Sequence, residues 1–142
     1  MREGTVLAFD FGEKRIGVAM AELALGIAHP LTTIAAQSND ARFKAIGDLI
    51  AEWQPVQLVV GEPQYTDGGV HEIARLARRF AQRLNGRFNL PVALADETLS
   101  SATAAQRQNE AGLRGAELDA AAAAEILMTW LELQRKKTGE TS

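Results

Sequence analysis

The first third of the chain carries short apolar runs that are typical of β-strands. Runs rich in β-branched and aromatic residues lie at 5–11, 16–20 and 26–34 and predict the first three strands. Only a few residues connect these runs, which favours an antiparallel meander. Pro30 lies inside the third run, and a proline there favours an edge strand or a β-bulge.

From residue 39 onward, the apolar spacing becomes that of helices alternating with short buried strands. Asn39 or Asp40 is a candidate cap for the first helix, which ends before Pro55. The pair Asn85-Gly86 is the expected stop of the second helix. The predicted elements are a helix from about 39 to 53, a strand at 57–61, a helix from about 70 to 84, a strand at 91–95, a helix from about 100 to 112 and a helix from about 117 to 136.

Three meander strands followed by two helix-linked strands predict an α/β fold with the element order βββαβαβαα. Right-handed crossovers place the fourth and fifth strands beside the first and parallel to it. We therefore expect a mixed five-stranded sheet, three antiparallel strands and then two parallel ones, with helices on both faces and the first strand at its centre. Residues 1–137 are expected to form a single domain, and 138–142 a flexible tail.

The composition narrows the kinds of protein that this chain can be. It has 142 residues, a net charge of −3 and no cysteine, which excludes disulfides and thiolate zinc sites. We find neither a signal-peptide pattern nor a run of about 18 apolar residues, so we expect a cytoplasmic protein without a membrane span. Domains that bind nucleic acid are usually basic. If this chain binds nucleic acid, its positive charge must therefore be concentrated in a local patch.

Asp10 lies near the C-terminal end of the predicted central strand. Alternation along the strand puts it on the face of Val6 and Ala8, opposite the phenylalanines on either side of it. A carboxylate at that depth is costly unless it is paired or binds a cation. Asp10 is therefore a candidate site residue, and the alternative is a strand-end aspartate whose side chain caps residues 12–14.

Three further carboxylates are expected near the same edge of the sheet. Asp96 and Glu97 follow the predicted fifth strand, and open α/β sheets bind ligands at such strand ends. The alternative is a solvated turn in which Asp96 caps a helix. Asp119 stands in the first turn of the last helix, before five alanines that permit close packing on the sheet. Its alternative role is to complement the helix dipole.

Carboxylates from two strand ends and a helix start favour coordination of a hard cation. The expected ligands are Asp10, Glu97 and Asp119, and the expected ion is Mg²⁺ or Mn²⁺. Two such ions about 3.5–4 Å apart can activate water and stabilise the leaving oxygen of a phosphodiester. His29 and His71 are expected to be structural or surface residues rather than ligands.

The segment after Asp10 is a candidate for contact with a phosphorylated substrate. Gly12 allows backbone or substrate to approach Asp10 closely, and Lys14 and Arg15 offer phosphate contacts. The segment is not a P-loop, because Ile-Gly-Val at 16–18 stands where Gly-Lys-Ser/Thr is required.

A polar loop and an arginine-rich helix follow the fourth strand. Tyr65 in the loop at 61–69 is available to stack on a base. The alternative is that the loop only connects the strand to the following helix. The helix presents either a solvated face or a surface that tracks phosphates, for which we select Arg75 and Arg79. Its arginines are Arg75, Arg78, Arg79, Arg83 and Arg87.

With these positions assembled, the sequence resembles the YqgF family, whose members are described as pre-16S rRNA nucleases and as Holliday-junction-resolvase-like proteins. The resemblance covers residues 7–131 and rests on four segments in the right order. They are Asp10-Phe11-Gly12 with Lys14-Arg15-Ile16-Gly17-Val18-Ala19, Val60-Gly61 with Pro63 and Asp67-Gly68, Asp96-Glu97, and Asp119 before an alanine-rich helix.

The resemblance implies an RNase H-like fold and a divalent-metal nuclease that trims the 5′ end of pre-16S rRNA in the cytoplasm. By position, Asp10, Glu97 and Asp119 correspond to the acidic triad of the family, and Asp96 is either an alternate ligand or a residue that supports the triad. The expected partner is RNA, in particular pre-16S rRNA on the pre-ribosome. The protein is expected to be a monomer or a weak dimer.

The sequence also departs from the family pattern near the expected site. Thr98 and Glu117 stand where Arg and Lys are common, and Glu62 and Tyr65 differ as well. The loss of two cations supports a second hypothesis, a nucleic-acid-binding or ribosome-assembly factor with a vestigial acidic site. A resolvase of DNA Holliday junctions is a third hypothesis. An actin-like nucleotide phosphotransferase is a fourth hypothesis, and it is disfavoured because such proteins need two lobes around a cleft, for which 142 residues are too few.

Overall fold

The computed structural model describes residues 4–12, 15–35, 38–64, 72–98 and 116–137. No helix within these ranges is long and apolar enough to cross a membrane. Their strands and helices, in chain order, are β1 Thr5–Asp10, β2 Ile16–Glu22, β3 Ile27–Ile34, α1 Asn39–Trp53, β4 Gln57–Gln64, α2 Glu72–Phe88, β5 Val92–Thr98 and α3 Ala116–Lys137.

The five strands form one mixed sheet in the order β3-β2-β1-β4-β5. β2 pairs antiparallel with β1 and β3, whereas β4 pairs parallel with β1 and β5. The predicted topology is confirmed, including the central position of β1. Because β1, β4 and β5 run in the same direction, their C-terminal ends lie at one edge of the sheet.

The two faces of the sheet bury separate hydrophobic cores. Leu7 and Phe9 belong to the core that α1 and α2 cover, together with Phe80. Val6 and Ala8 belong to the core that α3 covers. The strand therefore alternates as predicted, and the helices lie on both sides of the sheet.

The first turn of α3 packs directly on β2. A Cβ atom added to Gly17 would lie 1.9 Å from the backbone oxygen of Asp119, so only glycine permits this approach. Further along α3, Ala120, Ala123 and Ala124 are buried against the sheet. The small side chains of this turn thus allow the close helix–sheet packing that the sequence predicts.

Pro30 lies in β3, an edge strand whose pairing with β2 shifts register between Val18 and Ala19. The edge position, one of the two alternatives predicted for this proline, is confirmed.

The predicted N-cap of α1 and the predicted C-terminal end of α2 were wrong. Ser38, not Asn39 or Asp40, is the N-cap of α1, since its extended backbone lets Oγ accept a hydrogen bond from the Ala41 amide at 3.1 Å. Helix α2 continues through Asn85-Gly86 to Phe88. It ends there because Asn89, at φ 55°, takes the left-handed conformation instead.

Three predicted strands were too short, and the first of them, β2, continues past its predicted end at 20 to Glu22. β4 extends to Gln64 and β5 to Thr98, because the parallel pairing between them continues to these residues. Asp96 and Glu97 therefore lie within β5 rather than after it. Pro63 is tolerated in β4 because the pairing of β4 with β1 ends at Val60.

Two other predictions lie outside the described residues. They are the helix at about 100–112 and the tail at 138–142, so the domain bounds of 1–137 stay a prediction.

Candidate active site

Asp10 is the last residue of β1 and is partly buried. It pairs across the sheet with Gly17 of β2. In the antiparallel pair, opposite residues share a face of the sheet, and this face carries Ala8 and the core beneath α3. Asp10 therefore stands at the C-terminal edge of the sheet, on the face that α3 covers.

Asp119 reaches the same position from the helix. Its backbone oxygen occupies the space above Gly17, and Gly17 is the cross-strand neighbour of Asp10. The fold thus brings two of the predicted acids together, one from a strand end and one from the first turn of a helix.

The carboxylate of Asp119 forms an ion pair with Arg15. Arg15 Nε lies 2.7 Å from Asp119 Oδ2, and the two side chains are 47% and 26% exposed. This buried oxygen accepts no hydrogen bond among the described residues. The contact is therefore electrostatic, and Arg15 competes with any cation that binds Oδ2.

The backbone of β5 brings Asp96 and Glu97 to the same edge of the sheet. Glu97 is paired with Pro63 and Asp96 with Glu62. Residues two apart in a strand share a face, so Glu97 has the register of Ala95, which belongs to the core beneath α3. By the same alternation, Asp96 occupies a strand position of the opposite face of the sheet.

The donor set at this edge suits a hard cation. Carboxylate oxygens are the ligands that Mg²⁺ and Mn²⁺ prefer, and Asp119 Oδ2 is a buried oxygen with no hydrogen bond from any residue that the structure describes. Within the part of the chain that the structure describes, no group of three or more His, Asp or Glu side chains is assembled for a metal. That part excludes the side chains of Asp96 and Glu97.

The structure shows why residue 12 is a glycine, which the sequence only partly indicated. A Cβ atom at Gly12 would lie 2.5 Å from the backbone oxygen of Arg15, so this close approach requires glycine. Arg15 in turn contacts Asp119. Lys14 and Tyr65, the other predicted substrate contacts in these loops, lie outside the described residues.

Sequence reasoning missed an ion pair on the other face of the sheet, in which a buried carboxylate meets a half-exposed arginine. Glu62 of β4 is 8% exposed and pairs with Arg78 Nε of α2. An acid at the end of an otherwise apolar strand, facing an arginine-rich helix, was the available signal. Arg78 therefore neutralises a buried carboxylate rather than tracking phosphates.

The other arginines of α2 also divide by environment. Arg87 lies 4.2 Å from the centre of the Phe43 ring, and Arg75 is exposed and makes interactions of its own. Arg79 and Arg83 line a pocket of about 330 Å³ between α1 and α2, which Arg42 of α1 also lines. Arg42 was not among the predicted site residues, because the sequence does not show that α1 places it opposite the arginines of α2.

Of the two histidines, His29 is exposed on the edge strand β3, in agreement with a surface role. His71 lies outside the described residues.

Comparison with protein families gives a match over residues 4–133 to the family described as RuvX: Holliday junction resolvase. A protein of Dechloromonas aromatica named as a pre-16S rRNA nuclease is 60% identical over 133 residues, which are 91% of each chain. A protein of Methylobacillus flagellatus with the same name is 56% identical over 133 residues, again 91% of each chain.

Solved structures show the same fold at low sequence identity. RuvC of Thermus thermophilus superposes with a TM-score of 0.52 at 12% identity, covering 95% of this chain and 96% of its own. The T. thermophilus RuvC in complex with a Holliday junction substrate gives 0.53 at 16% identity, covering 94% and 96%. The RNase H-like fold expected from the sequence is confirmed.

Proposed function

The chain belongs to the RuvX family, and from this membership we propose that it is a divalent-metal-dependent nuclease that processes the 5′ end of pre-16S rRNA. The names of its close relatives support the substrate. The observation that carries the chemistry is the contact between Gly17 and the backbone of Asp119, because Gly17 is also the strand partner of Asp10.

In this proposal Asp10, Glu97 and Asp119 are the catalytic residues and hold the metal. The register of β5 favours Glu97 over Asp96 as the third ligand, since Glu97 shares the register of Ala95 on the α3 side. Asp96 stays an alternate ligand. A divalent ion bound by these carboxylates supplies an activated water and neutralises charge on the phosphodiester.

The residues around the acids bind and orient the substrate. Gly12 lets the backbone of Arg15 come close, and Arg15 lies beside Asp119, where its guanidinium can contact a phosphate oxygen. Lys14 is proposed to add a second cation. Tyr65 is proposed to stack on a base, and Arg75 and Arg79 to contact the RNA backbone.

The proposed partner is pre-16S rRNA, carried by the pre-ribosome in the bacterial cytoplasm. The protein is proposed to act as a monomer or weak dimer. Family membership is compatible with a second substrate, the DNA four-way junction, because the family description names Holliday junction resolution.

One cleavage assay tests the function and separates the two substrates. Purified protein with Mn²⁺ or Mg²⁺ is given an rRNA leader fragment or a four-way DNA junction, in parallel with the Asp10→Asn variant. We expect cleavage of the leader by the wild type and loss of at least about a hundredfold in rate for the variant. Equal cleavage by the wild type and the variant would contradict the proposed role of the acidic site in cleavage. Preferential cleavage of the junction would favour a resolvase of DNA Holliday junctions.

Thr98 and Glu117 favour a further candidate, an assembly factor with a vestigial acidic site. Such a protein binds the leader but cleaves neither substrate, and its binding does not respond to Mn²⁺. The same assay, read for binding as well as cleavage, separates it from the nuclease.

A further inference from the structure

The pocket between α1 and α2 combines positive charge with aromatic surface. Its volume is about 330 Å³, which is within the range of pockets that hold small ligands. Six of its lining residues define the Arg–Phe pocket: Arg42, Arg79, Arg83, Phe11, Phe43 and Phe80.

The three arginines of the Arg–Phe pocket converge from two helices. Arg79 and Arg83 are four residues apart on α2, so they lie on one face of that helix. Arg42 faces them from the first turns of α1. None of the three forms an ion pair with a described carboxylate, although Asp40 is exposed nearby in the first turn of α1. The pocket therefore concentrates positive charge on a chain that is acidic overall.

The aromatic rings form one cluster around Phe80. The Phe11 and Phe80 ring centres are 5.1 Å apart, and those of Phe43 and Phe80 are 5.9 Å apart. Phe43 and Phe80 are each 5% exposed, whereas Phe11 is partly exposed. Phe11 is thus the least buried residue of this aromatic cluster and lies beside the arginines, and flat apolar rings of this kind stack on nucleobases.

The Arg–Phe pocket lies next to the candidate active site but on the other face of the sheet. Phe11 follows Asp10 directly, so their Cα atoms are about 3.8 Å apart. Phe11 packs with the core under α1 and α2, whereas Asp10 shares its face with the core under α3. A strand of nucleic acid that crosses this edge of the sheet can therefore meet both.

We propose that the Arg–Phe pocket binds one nucleotide of single-stranded RNA, holding its phosphate between Arg42, Arg79 and Arg83 and its base against Phe11. This proposal rests on the proposed function for the choice of RNA as the ligand. The bound nucleotide flanks the phosphodiester that the acidic residues cleave, so the pocket fixes the position of the strand across the sheet edge.

Binding is tested without cleavage. A fluorescent oligoadenylate of about ten nucleotides, a length that single-strand binding sites commonly cover, is titrated with protein in EDTA and followed by anisotropy. We expect Arg42→Gln, Arg79→Gln and Arg83→Gln each to weaken binding about tenfold, the effect of losing one charge-assisted contact. Each variant should also lower the slope of log affinity against log salt by about 0.7.

Lys136→Gln is the charge-matched control. Lys136 is exposed near the end of α3, and its loss changes the net charge by the same amount. We expect this variant to bind within about twofold of the wild type, since a distant charge is largely screened. Arginine variants that bind as tightly as Lys136→Gln would overturn the proposal. Thermal unfolding of each variant checks that the fold is unchanged.

An abasic oligonucleotide with the same number of phosphates tests the role of the base. We expect it to bind about tenfold more weakly, since stacking contributes about 1–3 kcal/mol per base. Equal binding of the two oligonucleotides would overturn the nucleotide pocket and leave only a phosphate site.

The outcome is independent of the cleavage assay. Loss of binding in the arginine variants of a protein that cleaves nothing would support the Arg–Phe pocket and contradict the nuclease. If the protein cleaves the leader and its arginine variants bind normally, the result would support the nuclease and contradict the Arg–Phe pocket.

Discussion

The backbone oxygen of Asp119 lies 1.9 Å from the position that a Cβ atom on Gly17 would occupy. This contact fixes the first turn of α3 on β2, directly beside the strand position that pairs with Asp10. A glycine in a strand interior usually weakens the strand. Here its absent side chain is what brings a helix-borne carboxylate to the end of the central strand.

Gly17→Ala should therefore displace the first turn of α3. We expect a loss of about 1–3 kcal/mol in the free energy of unfolding, the usual cost of overpacking, and a larger loss of cleavage because Asp119 moves away from Asp10. Chemical denaturation and the leader-cleavage assay measure the two effects.

Gly86→Ala is the matched control for Gly17→Ala. Gly86 lies within α2, with no atom inside 4 Å of an added Cβ. Alanine is the better helix former, so we expect this variant to gain about 0.5–1 kcal/mol and to cleave normally. The same response from both glycines would contradict the role of the Gly17 contact.

Arg15→Gln removes the cation that lies beside Asp119. The ion pair competes with a metal for Asp119 Oδ2, and a partly exposed pair contributes about 0–1 kcal/mol. We expect Mn²⁺ to bind up to about fivefold more tightly to the variant, while RNA binding weakens because a phosphate contact is lost. Titration calorimetry and anisotropy measure the two affinities. Weaker Mn²⁺ binding by the variant would show that Arg15 supports the metal site instead of competing with it.

Arg78→Leu leaves the carboxylate of Glu62 buried without its partner. Since Glu62 is 8% exposed, we expect a loss of about 2–3 kcal/mol in the free energy of unfolding. Lys44→Gln breaks an exposed ion pair with Asp48, at 3.5 Å on α1, and should cost less than about 0.5 kcal/mol. Urea denaturation of both variants provides the comparison, and equal effects would mean that burial of Glu62 contributes nothing.

Ser38→Ala tests the observed start of α1. Loss of the Oγ acceptor for the Ala41 amide should cost about 1 kcal/mol, and Ser38→Asp should retain most of the stability. Asn39→Ala should cost much less, since Asn39 lies inside the helix. Thermal unfolding distinguishes the two positions, and a larger cost at Asn39 would restore the cap predicted from the sequence.

The strand order followed from the sequence because chain connectivity restricts it strongly. Short connections favour antiparallel neighbours, and helical crossovers are right-handed, so the place of β1 was determined before any contact was known. The alternation around Asp10 followed in the same way from the strand period.

Element ends were less predictable, because they depend on contacts between distant residues. β5 continues through Asp96 and Glu97 since β4 pairs with it that far, and the sequence of β5 alone contains no such information. Asn85-Gly86 has the composition of a helix stop, but Asn89 takes the left-handed conformation four residues after Asn85.

Partners across the fold were the least predictable part of the site. Arg15 was selected as a phosphate ligand, and its ion pair with Asp119 depends on the helix approach over Gly17. Arg42 joins Arg79 and Arg83 only because α1 and α2 lie side by side on one face. Such pairs become visible only when the packing of the helices is known.

Metal binding by three single carboxylate variants tests the proposed active site most directly. Mn²⁺ is titrated calorimetrically into wild type, Asp10→Asn, Glu97→Gln and Asp119→Asn, with Asp48→Asn on the exposed face of α1 as the control. We expect each of the three site variants to lose at least about tenfold in affinity, about 1.4 kcal/mol, and the control to match the wild type. Wild-type affinity in Glu97→Gln and Asp119→Asn would contradict a metal site shared by these residues.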